Sequence, residues 1–74
     1  MGRDYLSPKE VAGLLHISAP TVNYYTNLGL LRVEERKGNK RLYDRNEVLV
    51  NFAKIKQLRK QGYSLKLIRQ HLYR

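Results

Sequence analysis

Two adjacent tyrosines, Tyr24 and Tyr25, lie in the stretch ISAPTVNYYTNLGLL, residues 17–31. Consecutive residues of a helix point in different directions, so one buried face cannot hold both rings. Val22 lies three residues before Tyr25, which predicts that Tyr25 packs inward and Tyr24 faces outward. An outward phenol can donate a hydrogen bond to a phosphate oxygen or lie against sugar and base edges. We therefore expect Tyr24 to contact a partner and Tyr25 to belong mainly to the core.

The polar residues before the tyrosines suit the same partner. Asn23 carries a side-chain amide that can accept from and donate to adenine in a major groove, which is worth about 1–3 kcal/mol of base discrimination. The alternative is a helix-surface amide that binds nothing. Ser18 and Thr21 place short hydroxyls at the start of this helix, near a phosphate, although helix capping alone would explain both residues.

A basic segment follows, in which Arg36, Lys37, Lys40 and Arg41 surround the turn residues of KGN. Leu31 and Val33 alternate with polar residues before it, which predicts two short antiparallel strands joined by a basic loop. A guanidinium can grip phosphate or enter a narrow minor groove. We predict DNA contacts for the four cations, although a solvated loop would also be basic.

Tyr43, at the end of this hairpin, is expected to hold it against the body of the protein and is included among the candidate contacts.

A third candidate region is QGYSLKL, residues 61–67. The free N–H groups at a helix start favour an anion, so Tyr63, Ser64 and Lys66 are predicted to clamp a phosphate there. Simple capping by Ser64 is the alternative.

Four helices are needed to position these side chains, and their starts are marked in the sequence. Capping residues stand at Ser7, Ser18, Asp44 and Ser64, each followed by apolar residues at helical spacing. His16 lies in the tight turn between the first two helices. Two helices, a hairpin and two more helices predict one mainly α domain over residues 1–74, a winged helix-turn-helix with a two-stranded wing between helices 2 and 3.

The composition supports a polyanionic partner. Fifteen Lys and Arg stand against six Asp and Glu, for a net charge of +9, and such a field attracts nucleic acid. The absence of cysteine excludes disulfides and thiolate metal sites. His16 and His71 are far apart and have no accompanying nucleophile, so we expect no catalytic site, metal or cofactor. No segment is apolar enough for a signal peptide or a membrane span, which predicts a cytoplasmic, nucleoid-associated protein.

Four stretches together resemble the DNA-binding domain of the MerR family of bacterial transcription regulators: EVAGLLHIS, TVNYYTNLGLL, a hairpin ending KRLY, and LRKQGYSLKLI. The resemblance extends from Leu6 to Leu72. It implies sequence-specific binding to double-stranded promoter or operator DNA, with helix 2 in the major groove, the wing on the flanking backbone and the start of helix 4 on phosphate. Arg41 matches the wing arginine of the family, and the resemblance implies that the Tyr25 hydroxyl reaches the DNA backbone. RNA polymerase is a further implied partner.

The chain departs from the family pattern at several positions. His16 stands where the family often has glycine, and Asn23 stands where an arginine is common. The spacing from Tyr43 to Gly62 is one residue longer than usual, so the start of helix 3 could be shifted. Full-length relatives continue into a dimerisation helix and a sensor domain. We expect both to be absent from residues 1–74, so that a homodimer would require a helix beyond this chain.

Two other function classes are compatible with the sequence. One is a phage or transposon excisionase-like architectural factor, which would use a similar winged helix to bend DNA at tandem sites. The other is a protein–protein adaptor that presents its basic face to an acidic partner. The adaptor hypothesis predicts that nucleic acid does not compete with the protein partner.

Overall fold

The computed structural model of the protein describes residues 4–72. In chain order its elements are β1 (Tyr5–Leu6), α1 (Pro8–Leu15), α2 (Ala19–Asn27), β2 (Glu35–Lys37), β3 (Lys40–Asp44), α3 (Arg45–Lys60) and α4 (Leu65–Leu72). The predicted four helices with a hairpin wing between the second and third are confirmed. The sheet is larger than predicted, because β1 pairs with β3 and makes it three-stranded, in the order β1-β3-β2. The predicted domain limits include residues 1–3 and 73–74, which lie outside the described residues.

The helix starts follow the capping signals in the sequence. Ser7 Oγ accepts from the backbone N–H of Glu10 at 3.2 Å, and the Glu10 carboxylate accepts from the N–H of Ser7 at 2.8 Å. This reciprocal pair satisfies two donors that the first helical turn leaves free. Asp44 Oδ1 likewise accepts from the N–H of Glu47 at 3.1 Å. The third helix therefore begins directly after Asp44, where its cap predicts, despite the longer spacing to Gly62.

His16 closes α1 in the left-handed conformation, with φ 57° and ψ 42°. The N–H of Ile17 bonds to the carbonyl of Ala12 at 3.0 Å, which satisfies one of the last carbonyls of α1. Histidine tolerates positive φ better than most residues with a side chain. The tight turn predicted at this residue is therefore made without glycine.

Two apolar clusters hold the elements together. The first unites α1, α2, β3 and α3 through residues that include Val11, Val22, Tyr43 and Val48. The second attaches α4 through Leu30, Ile55 and Ile68. Tyr25 packs against both clusters, which confirms that its ring turns inward and makes it the link between them.

The predicted first strand at Leu31 and Val33 is wrong, because β2 begins only at Glu35. Leu30 and Leu31 are fully buried, one in each apolar cluster. Their N–H groups both point back to the carbonyl of Tyr25, at 2.9 and 3.4 Å, so they extend the last turn of α2. The apolar residues of this segment are therefore core residues of a connection and not one face of a strand.

Gly29 makes that connection possible, since it has a φ of 82° that residues with a side chain rarely adopt. We expect Gly29→Ala to lower the free energy of unfolding by about 1–2 kcal/mol, because a left-handed L-residue is strained. A Cβ atom there would also meet the side chain of Arg69, which must move aside. Urea denaturation followed by circular dichroism measures the loss.

Gly13→Ala is the matched control. Gly13 lies inside α1, and a Cβ atom added there meets nothing within 4 Å. This change should raise the free energy of unfolding by about 0.5–1 kcal/mol, since alanine favours the helix. Equal effects of the two substitutions would contradict the role assigned to Gly29.

Candidate nucleic-acid interface

The outer face of α2 presents Asn23 and Tyr24 to solvent. Tyr24 is 54% exposed, whereas Val22 is fully buried. The rings of Tyr24 and Tyr25 are 6.2 Å apart between centroids and inclined by 43° to each other. The Tyr24 ring therefore faces outward and the Tyr25 ring packs against the core, as their spacing from Val22 predicts.

The first turn of α2 carries a pair of hydroxyl groups. Ser18 Oγ accepts from the N–H of Thr21 at 3.2 Å, and the two side-chain oxygens are 2.7 Å apart. The capping role of Ser18 is thus present in the structure. Because the bond between the hydroxyls uses one of their two protons, the other proton remains available to an outside acceptor.

The wing places like charges directly opposite each other. In the register of β2 and β3, Arg36 faces Arg41 and Lys37 faces Lys40. The two-residue turn has positive φ only at its first residue, Gly38, with φ 64°, as in a type II′ hairpin turn. Like charges at directly paired positions destabilise a hairpin. The sequence keeps two such pairs in succession, which indicates a surface made for an anionic partner.

An exposed side-chain hydrogen bond joins the wing to α2. Arg41 Nη1 donates to Asn23 Oδ1 at 2.7 Å, across a separation of 18 residues. The wing arginine and the outer face of α2 therefore lie on the same side of the molecule. Together, Asn23, Tyr24, Arg41 and its cross-strand neighbour Arg36 form one polar and basic surface, which we call the α2–wing surface. Lys37 and Lys40 leave the opposite face of the hairpin, next to its turn.

Tyr43 is not part of that surface, and its inclusion among the contact residues is corrected. Its side chain is fully buried in the first apolar cluster. Thr26 Oγ1 donates to the carbonyl of Val22 at 2.8 Å, so the Tyr43 hydroxyl, 2.7 Å away, donates to Thr26. Tyr43 thus attaches β3 to α2 from inside, as expected for a residue that holds the wing against the body.

The start of α4 provides a second, separate basic region. Ser64 Oγ accepts from the N–H of Leu67 at 3.3 Å, which establishes its capping role. Tyr63 is half-buried, and its ring meets that of His71 edge-on at 5.1 Å between centroids. Lys66 is exposed and lines a depression between α4 and the end of α2.

Arg69 lines the same depression and was not among the residues predicted to contact DNA. Lys66 and Arg69 are three residues apart on one helix, so they share a face. That spacing is the signal that could have identified Arg69. It places two cations beside the C-terminal end of α2.

Other kinds of site have no basis in residues 4–72. There, no three or more His, Asp or Glu side chains come together in a way that could hold a metal ion. None of the helices in this range has the length and apolar character that crossing a membrane requires.

Comparison with known proteins decides the family. Residues 6–74 match the family described as MerR HTH family regulatory protein. The chain belongs to the MerR family. Its resemblance to the nodulation protein NolA of Bradyrhizobium sp. (strain NC92) is 39% identity over 62 residues, which is 82% of this chain and 26% of NolA.

Two solved MerR-family structures share the fold of this MerR domain. A transcriptional regulator from Bacillus cereus has a TM-score of 0.77 at 22% identity, over 96% of this chain and 53% of that one. HiNmlR, a regulator lacking the sensor domain and bound to promoter DNA, has a TM-score of 0.78 at 24% identity, over 93% of this chain and 55% of that one. The chain spans about half the length of these two proteins and about a quarter of NolA.

Proposed function

We propose that this MerR domain binds double-stranded DNA sequence-specifically, as the DNA-binding domain of a transcription regulator. The observation that carries the proposal is the Asn23–Arg41 contact, which unites helix and wing in one surface. The bound promoter in the HiNmlR structure supports DNA as the partner. The net charge of +9 supplies the long-range attraction.

Some of the proposed contacts recognise bases, and the others hold the protein on the DNA backbone. The α2 helix enters the major groove, where Asn23 reads a base edge and Tyr24 contacts sugar or phosphate. Wing cations neutralise phosphates of the flanking backbone, and the two cations of α4 that lie beside the end of α2 bind a further phosphate. The wing group consists of Arg36, Lys37, Lys40 and Arg41, and the remaining proposed contacts are Ser18, Thr21, Tyr25, Tyr63, Ser64 and Lys66.

The proposed role of the domain is binding and not catalysis, and a family and a fold of DNA-binding regulators support that role. DNA as partner places the protein at the nucleoid, in the cytoplasm. A dimer on a palindromic promoter and contact with RNA polymerase belong to the proposal for the whole protein. The dimer depends on a helix beyond the residues described here.

Salt-dependent DNA binding tests the function. We expect the logarithm of the association constant to fall linearly with the logarithm of salt concentration, as measured by fluorescence anisotropy on a labelled duplex. Lys66→Ala should make that slope shallower by about 0.9, the contribution of one neutralised phosphate. Lys54→Ala removes an equal charge from the exposed surface of α3, outside the proposed contacts, and should leave the slope unchanged.

Three results would count against the proposal. Binding that does not depend on salt would remove phosphate contacts from the mechanism. Equal slopes for the Lys66 variant and the unmodified chain would exclude Lys66 from the phosphate contacts. An acidic protein partner that DNA does not displace would favour the adaptor hypothesis.

A further inference from the structure

The contact between Asn23 and Arg41 fixes the orientation of the Asn23 carboxamide. A guanidinium group has hydrogen-bond donors and no acceptor, so the atom that faces it is the carboxamide oxygen. Arg41 Nη1 and Asn23 Oδ1 are 2.7 Å apart. The Asn23 amino group, Nδ2, is therefore directed away from Arg41 and presents two N–H donors.

Charge in the wing favours the same arrangement. Arg36 is directly opposite Arg41 in the register of the hairpin, so both side chains leave the same face of the wing. Repulsion from Arg36 disfavours positions of Arg41 above β2. The side-chain oxygen of Asn23 on α2 is a neutral acceptor within reach, and Arg41 donates to it.

We propose that Arg41 is a positioning residue that determines which base Asn23 reads, and that the Asn23–Arg41 pair selects guanine over adenine. This inference rests on the proposed DNA-binding function. It replaces the expectation, drawn from Asn23 alone, that the amide reads adenine.

The major-groove edges of the two purines explain the choice. Guanine presents two acceptors, N7 and O6, whereas adenine presents the acceptor N7 and the N6 amino donor. A free asparagine matches adenine, because its oxygen accepts from N6 while its amino group donates to N7. In this protein one lone pair of Asn23 Oδ1 accepts the hydrogen bond from Arg41, whose positive charge lies beside it. An N–H donor and a positive charge attract O6 and oppose the N6 amino group.

Selection of binding sites from a randomised duplex library tests the inference with the 74-residue chain. Sequencing of the bound fraction should show a guanine position for the unmodified protein. Asn23→Ala should remove the preference at that position only. Arg41→Ala should free the carboxamide and shift the guanine-to-adenine ratio there by about tenfold toward adenine, a factor within the range of one bidentate base contact.

Two further variants separate positioning from simple charge. Arg41→Lys keeps a positive charge and N–H donors, so it should retain part of the guanine preference. Lys40→Ala removes a wing cation that lies opposite Lys37 and not Arg36. It should weaken binding to all sequences and leave the base profile unchanged. Circular dichroism of each variant shows that the fold is kept.

A measurement on the unmodified protein makes the test independent of the variants. Replacing the selected guanine by 6-thioguanine keeps N7 but exchanges the O6 acceptor for a weakly accepting sulfur, and should lower the affinity by about fivefold or more. An unchanged affinity would overturn the inference.

The possible failures can be told apart. If Arg41→Ala weakens every sequence equally and guanine remains preferred, Arg41 only binds phosphate, and the inference fails while the proposed function stands. The inference also fails, and the proposed function stands, if the unmodified protein prefers adenine at the position that depends on Asn23. A bound fraction with no sequence preference would overturn the proposed function and the inference together.

Discussion

Tyr43→Ala should reduce the free energy of unfolding by about 3–5 kcal/mol, the range observed when a buried aromatic side chain is truncated. Tyr43 is fully buried among residues of α1, α2 and α3. A domain of this size has a total stability of about 4–11 kcal/mol. The substitution therefore removes a large part of the stability, and urea denaturation should show a midpoint close to the start of the titration.

Tyr43→Phe separates the ring from its hydroxyl group. The ring still fills the core, but the bond from the Tyr43 hydroxyl to Thr26 is lost. Thr26 keeps its bond to the carbonyl of Val22, so no donor is left without a partner. We expect a loss of about 1 kcal/mol. If Tyr43→Ala and Tyr43→Phe had equal effects, packing of the ring could not be what attaches β3 to the body.

Local signals in the sequence were sufficient to place the helices. Ser7 and Asp44 cap α1 and α3 where predicted, because a cap depends on residues three positions apart. The strand predicted at Leu31 failed for a physical reason. Alternation of apolar residues indicates burial, and burial in a three-dimensional core does not require a strand. The strand at Tyr5 was missed, since two residues give no periodicity and its pairing with β3 is long-range.

The candidate site was predictable to the extent that it depends on one element. The spacing of Val22 and Tyr25 was enough to turn Tyr24 outward. The contact of Asn23 with Arg41 depends on how the wing packs against α2. The two residues are 18 positions apart, so no local sequence pattern predicts the contact. The opposed cations of the wing are an intermediate case. The sequence predicts a turn at the three residues KGN, which leaves the pairing of the two strands undefined. In the structure the turn consists of two residues and begins at Gly38, and this length determines which residues of β2 and β3 face each other.

The opposed cations lead to the prediction with the largest expected effect on function. Arg36→Glu places a carboxylate directly opposite Arg41. The hairpin should become more stable by about 0.2–1 kcal/mol, since a repulsive cross-strand pair becomes attractive. Amide hydrogen exchange in β2 and β3 measures this gain as slower exchange.

The same substitution should lower DNA affinity by at least about tenfold at low salt, because one phosphate contact is lost and a repulsive one replaces it. Lys54→Glu makes the same change in net charge on the exposed surface of α3 and controls for the weaker long-range field. It should reduce affinity much less and leave exchange in the wing unaltered. Fluorescence anisotropy at several salt concentrations provides the comparison.

Stability and binding should thus change in opposite directions at Arg36. A wing selected only for stability would pair opposite charges, and this one pairs like charges at both of its paired cation positions. The repulsion is relieved when phosphates lie between the cations, so DNA should slow amide exchange in the unmodified wing more than in the Arg36→Glu wing. Parallel losses of wing stability and DNA affinity in Arg36→Glu would show instead that Arg36 supports the hairpin itself.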